Sequence, residues 1–248
     1  MLSGRRVVVL DTADDVAYQA ATEFEVRARA AIEQSGRFAV ALSGGKTPNK
    51  LFRLLASPDF AEDIDWTHIH FFWSDERCVP PTDDASNYKQ ALDALLATLS
   101  IPRENVHRMH GELKPHEGAI AYSGELRAFF GETVRFDCVF LGLGEDGHTA
   151  SLFPNNEALD AVEDPCVAVD VPDNAVAPWR LTLTYPVLNG ARGVIFVADG
   201  AEKASVVARV LEGPHDARRL PAQGVAPQNG SLVWLIDRAA ASELHSRV

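Results

Sequence analysis

Apolar residues in this chain come in short unbroken runs, and longer amphipathic stretches separate them. Residues 6–10 (RVVVL), 38–42 (FAVAL), 68–73 (HIHFFW) and 136–141 (FDCVFL) are apolar, β-branched or aromatic runs of strand length. Residues 167–171, 181–184, 194–198 and 232–236 are further strand candidates, and 106–109 is a shorter one. Residues 12–34 are rich in Ala, Glu and Arg and contain no Gly or Pro, which predicts a long helix. Thr12 or Asp14 stands near its N-cap, and Gly36 ends it. Helical patterns follow over 49–56, from Ser86 to about residue 99, over 117–130 despite Gly118 and Gly124, and over 202–211. A short C-terminal helix is expected to close the chain.

Continuous apolar strands that alternate with helices imply a parallel sheet covered on both faces. The expected fold class is therefore a three-layer α/β/α domain with a mostly parallel central sheet, Rossmann-like, spanning residues 1–248 as one unit. No internal repeat or low-complexity tract interrupts it. The Pro- and Gly-rich stretch 213–230, which carries His215 and Arg218-Arg219, reads as an exposed loop and not as a domain linker. In sheets of this kind ligands sit at the carboxyl ends of the strands.

Composition narrows the partners. The chain has 23 basic and 35 acidic side chains and a net charge of -12. Such a surface repels nucleic acid and anionic membranes, so neither is an expected partner. An acidic protein that binds an anionic metabolite must gather its cations locally, and that draws attention to Arg and Lys in loops. The three cysteines, Cys78, Cys138 and Cys166, fit neither a disulfide framework nor a zinc motif. A reducing cytoplasm is the simple expectation. The start, MLSGRRVVVLDTADD, does not read as a signal peptide, and no segment is long enough to span a bilayer.

Four polar clusters follow or open predicted strands. Ser43-Gly44-Gly45-Lys46-Thr47 comes after the second strand. Its glycines allow close backbone approach, and the helix behind them presents free N–H groups. It is not a Walker A loop, and a tight strand-to-helix turn is as good a reading as a phosphate loop. Ser74-Asp75-Glu76-Arg77 reads either as a solvated charged loop or, from its position, as part of a site. In Gly144-Glu145-Asp146-Gly147-His148-Thr149, a histidine stands two residues from a carboxylate. A polar turn, a metal pair and a general base with its orienting acid are the three readings. The other histidines form no ligand pattern with it, so no metal is expected. Arg180 and Lys203 are the fourth set. Lys203 falls in the first turn of a predicted helix, where a cation is unfavourable unless an anion is bound nearby.

Taken in order, LSGGKTP, WSDERCVP, SNY, FLGLGEDGHTASLFP, RLTLTYPVLN and DGAEK resemble the segments of the 6-phosphogluconolactonases, within the glucosamine-6-phosphate deaminase and isomerase superfamily. The resemblance covers essentially the whole chain. GEDGHTASLFP is its most specific piece, while LSGGKTP is shared in outline with the deaminases. It implies the deaminase-related fold and hydrolysis of 6-phospho-D-glucono-1,5-lactone in the oxidative pentose phosphate pathway, with no cofactor. By the same resemblance His148 is the base that activates water, and Asp146 orients or polarises it. Ser43, Gly44, Gly45 and Thr47 line the phosphate site, with Arg180 and Lys203 as charged clamps. Asp75 and Arg77 lie on the substrate-facing rim. Lys46 stands where the family often has serine, so no contact is assigned to its side chain. The rival readings are an amino-sugar phosphate deaminase or isomerase using Asp75 and His148, and a non-catalytic sugar-phosphate sensor. An acidic surface disfavours a DNA-binding sensor.

Overall fold

The computed structural model describes residues 5–171 and 177–245. Strand β1 (Arg5–Leu10) leads into helix α1 (Ala13–Ser35), followed by β2 (Phe38–Leu42), α2 (Lys46–Leu55) and the short α3 (Pro58–Ala61). Next come β3 (Ile69–Trp73), β4 (Asp75–Arg77), α4 (Asn87–Ala91), α5 (Pro115–Phe130) and β5 (Cys138–Leu141). Then β6 (Cys166–Asp170), β7 (Trp179–Leu183), α6 (Tyr185–Gly190), β8 (Gly193–Ala198), α7 (Ala204–Glu212) and β9 (Ser231–Asp237) complete it. Six strands form one parallel sheet in the order β1-β9-β8-β5-β2-β3, flanked by helices. The expected mostly parallel α/β architecture is the one observed. No helix among the described residues is long and apolar enough to cross a membrane.

Helix α1 shows why the long helical pattern was legible. Thr12 and Asp15 form a reciprocal capping box, and Gly36 ends the helix at φ 75°, where a side chain would be strained. Its buried stripe consists mainly of alanines around Phe24, so the helix lies close to the sheet. The Phe24 ring meets Phe38 at 5.3 Å and Phe140 at 6.2 Å between centroids. Full burial of one such ring contributes about 1.5–3 kcal/mol.

Four expectations are corrected. Segments 167–171 and 181–184 do not join the parallel sheet. Instead β6 and β7 pair antiparallel, and with β4 they form a second sheet in the order β4-β7-β6. Residues 171–178 are too few for a parallel crossover, so adjacent pairing must reverse direction. Ser74-Asp75-Glu76-Arg77 is accordingly not a loop. The chain leaves the large sheet at Ser74, whose N–H donates to the Leu42 carbonyl (2.7 Å) while its own carbonyl accepts from Leu183 N (2.8 Å). This buried residue hinges the two sheets. Residues 106–109 make only an isolated bridge, Val106 with Phe71, and residues 238–243 form turns where a helix was expected.

Candidate active site

The loops after β2 and β5, the strands β4 and β7, and Lys203 after β8 enclose a cavity of about 220 Å³. It lies at the carboxyl ends of the central strands, where a parallel sheet leaves free backbone groups. Ser43 and Gly44 line it from the first loop, and His148 lines it from the second. Asp75, Arg77 and Arg180 come from the small sheet. Lys203 sits at the N-cap of α7, just before the helix, and reaches the same cavity.

The loop carrying His148 is folded on itself. Gly144 N donates to His148 O (2.9 Å), Gly147 N to Gly144 O (3.0 Å), and the Thr149 hydroxyl to Gly142 O (2.9 Å). Gly147 supplies the left-handed turn at φ 90°, and Ala150 holds φ 48°, a strained value for a residue with a side chain. These bonds bring His148 Nδ1 to 2.6 Å from Asp146 Oδ1, which also accepts from His148 N at 3.0 Å. Burial would raise the Asp146 pKa, but the His148 hydrogen bond, its charge and the backbone N–H groups outweigh it and hold the carboxyl below its ordinary value. A carboxylate acceptor at Nδ1 assigns the proton there and leaves the Nε2 lone pair free to accept one. The Phe153 ring packs on the imidazole at 4.5 Å.

Opposite charges and like charges are both concentrated in the small sheet. In a strand, alternate residues share a face, so Asp75 and Arg77 point one way and Glu76 the other. Arg77 is directly paired across the strands with Arg180, a like-charge neighbour that ordinarily destabilises a sheet. Arg180 is only 9% exposed, and burial pulls its pKa below the ordinary value despite the nearby Asp75. The Nε atoms of both arginines are buried without a protein acceptor. A buried and a half-buried guanidinium group, each with an unused Nε donor although Arg77 Nη1 donates to the Ala85 carbonyl, could hold an anion in a protein of net charge -12.

The structure brings most of the named residues together. Asp75 is 5% exposed and set inside the wall, deeper than a rim position. Gly45 and Thr47 lie next to the cavity and do not line it. Gly45 N donates to Gln90 Oε1 (3.1 Å), and the Thr47 hydroxyl donates to Asp199. Lys46 is exposed. Among the described residues no group of three or more His, Cys, Asp and Glu side chains is placed to hold a metal ion.

Three residues escaped the reading of individual positions. Asn87 lines the cavity, and its amide nitrogen donates to the Asp75 backbone carbonyl (2.8 Å) and carboxylate (3.2 Å). Ser151 Oγ donates to Asp75 Oδ2 at 2.7 Å. Glu76, 2% exposed, accepts from the backbone N–H groups of Arg77, Asn87 and Tyr88 and from the Ser86 hydroxyl. Period-two alternation within SDER was the available signal that Glu76 faces away from Asp75 and Arg77.

A histidine held by a carboxylate behind it, a glycine-rich strand-to-helix loop and paired arginines therefore line one cavity. The sequence matches the family described as glucosamine-6-phosphate isomerases/6-phosphogluconolactonase over residues 11–234. This chain belongs to that family. It is similar to the 6-phosphogluconolactonase of Nostoc sp., with 42% identity over 86% of this chain and 88% of the relative. The Haemophilus influenzae 6-phosphogluconolactonase is 37% identical over 81% of this chain and 85% of its own. The structure of the 6-phosphogluconolactonase from Trypanosoma cruzi superposes with a TM-score of 0.86 at 26% identity, covering 98% of this chain and 97% of that one. A monomeric glucosamine-6-phosphate deaminase shares the fold, with a TM-score of 0.82 at 19% identity, covering 96% of this chain and 99% of that one.

Proposed function

We propose that this family member hydrolyses 6-phospho-D-glucono-1,5-lactone to 6-phospho-D-gluconate, a step of the oxidative pentose phosphate pathway, with water activated by His148. The observation that carries the reading is that His148, held by Asp146, lines one cavity with the Arg77–Arg180 pair. The first is a proton acceptor with an orienting carboxylate. The second is a receptor for an anion remote from the reacting carbon.

A six-membered lactone is an activated ester. His148 Nε2 takes a proton from water as the oxygen attacks the lactone carbonyl carbon, giving a tetrahedral oxyanion. The oxyanion collapses, the bond from that carbon to the ring oxygen breaks, and the proton on His148 passes to the departing oxygen. Asp146 holds the imidazole in the required tautomer and stabilises its cation. Arg180 and Lys203 clamp the phosphate beside Ser43 and Gly44. Gly45 and Thr47 shape that loop at the start of α2. Arg77, paired with Arg180, faces the same phosphate from the substrate side, and Asp75 forms the wall beside them. Phosphate binding supplies energy that positions the ring for attack. Amino-sugar isomerisation would need a carboxylate base beside the substrate. Asp75 is the candidate, and both of its oxygens already accept hydrogen bonds.

The test is hydrolysis of freshly generated lactone by purified protein, compared with buffer because the lactone also opens unaided. Wild-type protein accelerates the reaction, and His148→Ala loses about 10²–10⁴-fold in kcat. Folded wild-type protein that gives no acceleration over buffer would remove the proposal.

A further inference from the structure

Asp75 and Arg180 are both buried and of opposite charge, yet Arg180 Nη1 stands 3.9 Å from Asp75 Oδ2, beyond hydrogen-bond length. A buried carboxylate and guanidinium ordinarily close into a short pair. Here the carboxylate is taken by neutral donors. Ser151 Oγ donates to Oδ2 at 2.7 Å, and Asn87 Nδ2 donates to Oδ1 at 3.2 Å. Ser151 is 0% exposed and cannot drift. Its own N–H donates to Thr182 Oγ1 (3.1 Å), and Thr182 lies directly opposite Asp75 in the strand pairing. The strand that carries Arg180 therefore also anchors the serine that occupies its counter-ion.

We propose that Ser151 is a positioning residue that keeps the Arg180 guanidinium available to the substrate's anion by occupying the Asp75 carboxylate. This rests on the anion-binding reading of the cavity given above. Without the Ser151 hydroxyl, Asp75 Oδ2 has no hydrogen-bond donor in a buried setting. Arg180, whose Nε is unpartnered, is then drawn onto it. A guanidinium engaged by Asp75 binds a phosphate less well. The serine acts through the carboxylate's charge, so its effect requires that charge.

Calorimetric titration with inorganic phosphate reads the site without turnover. Ser151→Ala is expected to weaken phosphate binding about tenfold, the size of one hydrogen bond to a charged group. It raises KM for the phosphorylated lactone by a similar factor and leaves kcat within about twofold of wild type. In an Asp75→Asn background the same substitution changes phosphate affinity by less than about twofold. Ser151→Cys, similar in shape but a weak donor, falls between wild type and Ser151→Ala. Wild-type affinity in both Ser151 variants overturns the inference, as does equal weakening with and without the Asp75 charge. Wild-type protein that binds no phosphate overturns it too. Phosphate binding with the expected pattern but no lactone opening leaves the inference standing and removes the proposed activity.

Discussion

Gly144→Ala tests whether the placement of His148 carries the reaction. A Cβ at position 144 would lie 2.0 Å from His148 Nδ1, 2.2 Å from its Cε1 and 2.8 Å from Asp146 Oδ1. The shortest ordinary contact is 3.4 Å, so the ring must retreat by 3.4 − 2.0, about 1.4 Å. The 2.6 Å bond to Asp146 cannot survive that movement. Misplacing a reacting group by about 1 Å costs roughly 10²-fold, so kcat on the lactone falls about 10²–10³-fold. Gly144 is not among the residues with a left-handed backbone, so alanine itself fits the chain there. Overpacking of a partly exposed loop costs about 1–2 kcal/mol, a Tm decrease of about 2–8 °C. Phosphate affinity stays close to wild type, because the anion-binding side chains come from other elements. By contrast Gly124, with nothing within 4 Å of an added Cβ, accepts alanine with unchanged kinetics and a stability gain of up to about 1 kcal/mol. Steady-state kinetics and thermal melts on the same samples separate the two effects. A folded Gly144→Ala protein with kcat within about threefold of wild type would refute the reasoning.

Two further predictions concern buried charge. Burial raises the Glu76 pKa even though four donors stabilise its carboxylate. Glu76→Gln removes the buried charge but sets an amide NH₂ against backbone N–H donors. In the better orientation the Ser86 hydroxyl turns to accept and the Tyr88 N–H is orphaned, a loss of about 1–3 kcal/mol read by denaturant unfolding. A variant as stable as wild type would show that these bonds contribute nothing net. His70, in contact with His107 at 3.1 Å, has its pKa lowered from 6.5 to about 4, by burial first and then by the charges of His107 and Arg37. The unfolded chain takes the proton first, so stability falls as pH drops from 6.5 toward 4. His70→Phe, beside Phe129, removes this term, and its Tm declines less than that of wild type over that range. Parallel Tm profiles for the two proteins would exclude His70 as the source.

What the sequence determined by itself is what a few neighbouring residues decide. The bounds of α1 follow from Thr12, Asp15 and Gly36, all within hydrogen-bond reach of the helix they end. The Asp146–His148 contact needs only a two-residue turn, and Gly147 permits it. The parallel sheet follows from apolar runs spaced by helices. Tertiary structure decided the rest, because the partners are far apart along the chain. Ser151 and Asp75 are 76 positions apart, and Thr47 meets Asp199 across 152. Arg77 faces Arg180 only because the chain changes sheets at Ser74 and β4 then pairs with β7 in one register. That hinge also buried Asp75 and Glu76 in a segment whose sequence alone read equally as a solvated charged loop or as part of a site. A shift of one residue in this pairing would have exchanged Glu76 for Asp75 and Arg77 on the cavity face. Local composition does not encode such a register. It is set by the packing of two sheets against one another, so the His148–Asp146 contact was readable in advance and the cross-strand pairing of Arg77 with Arg180 was not.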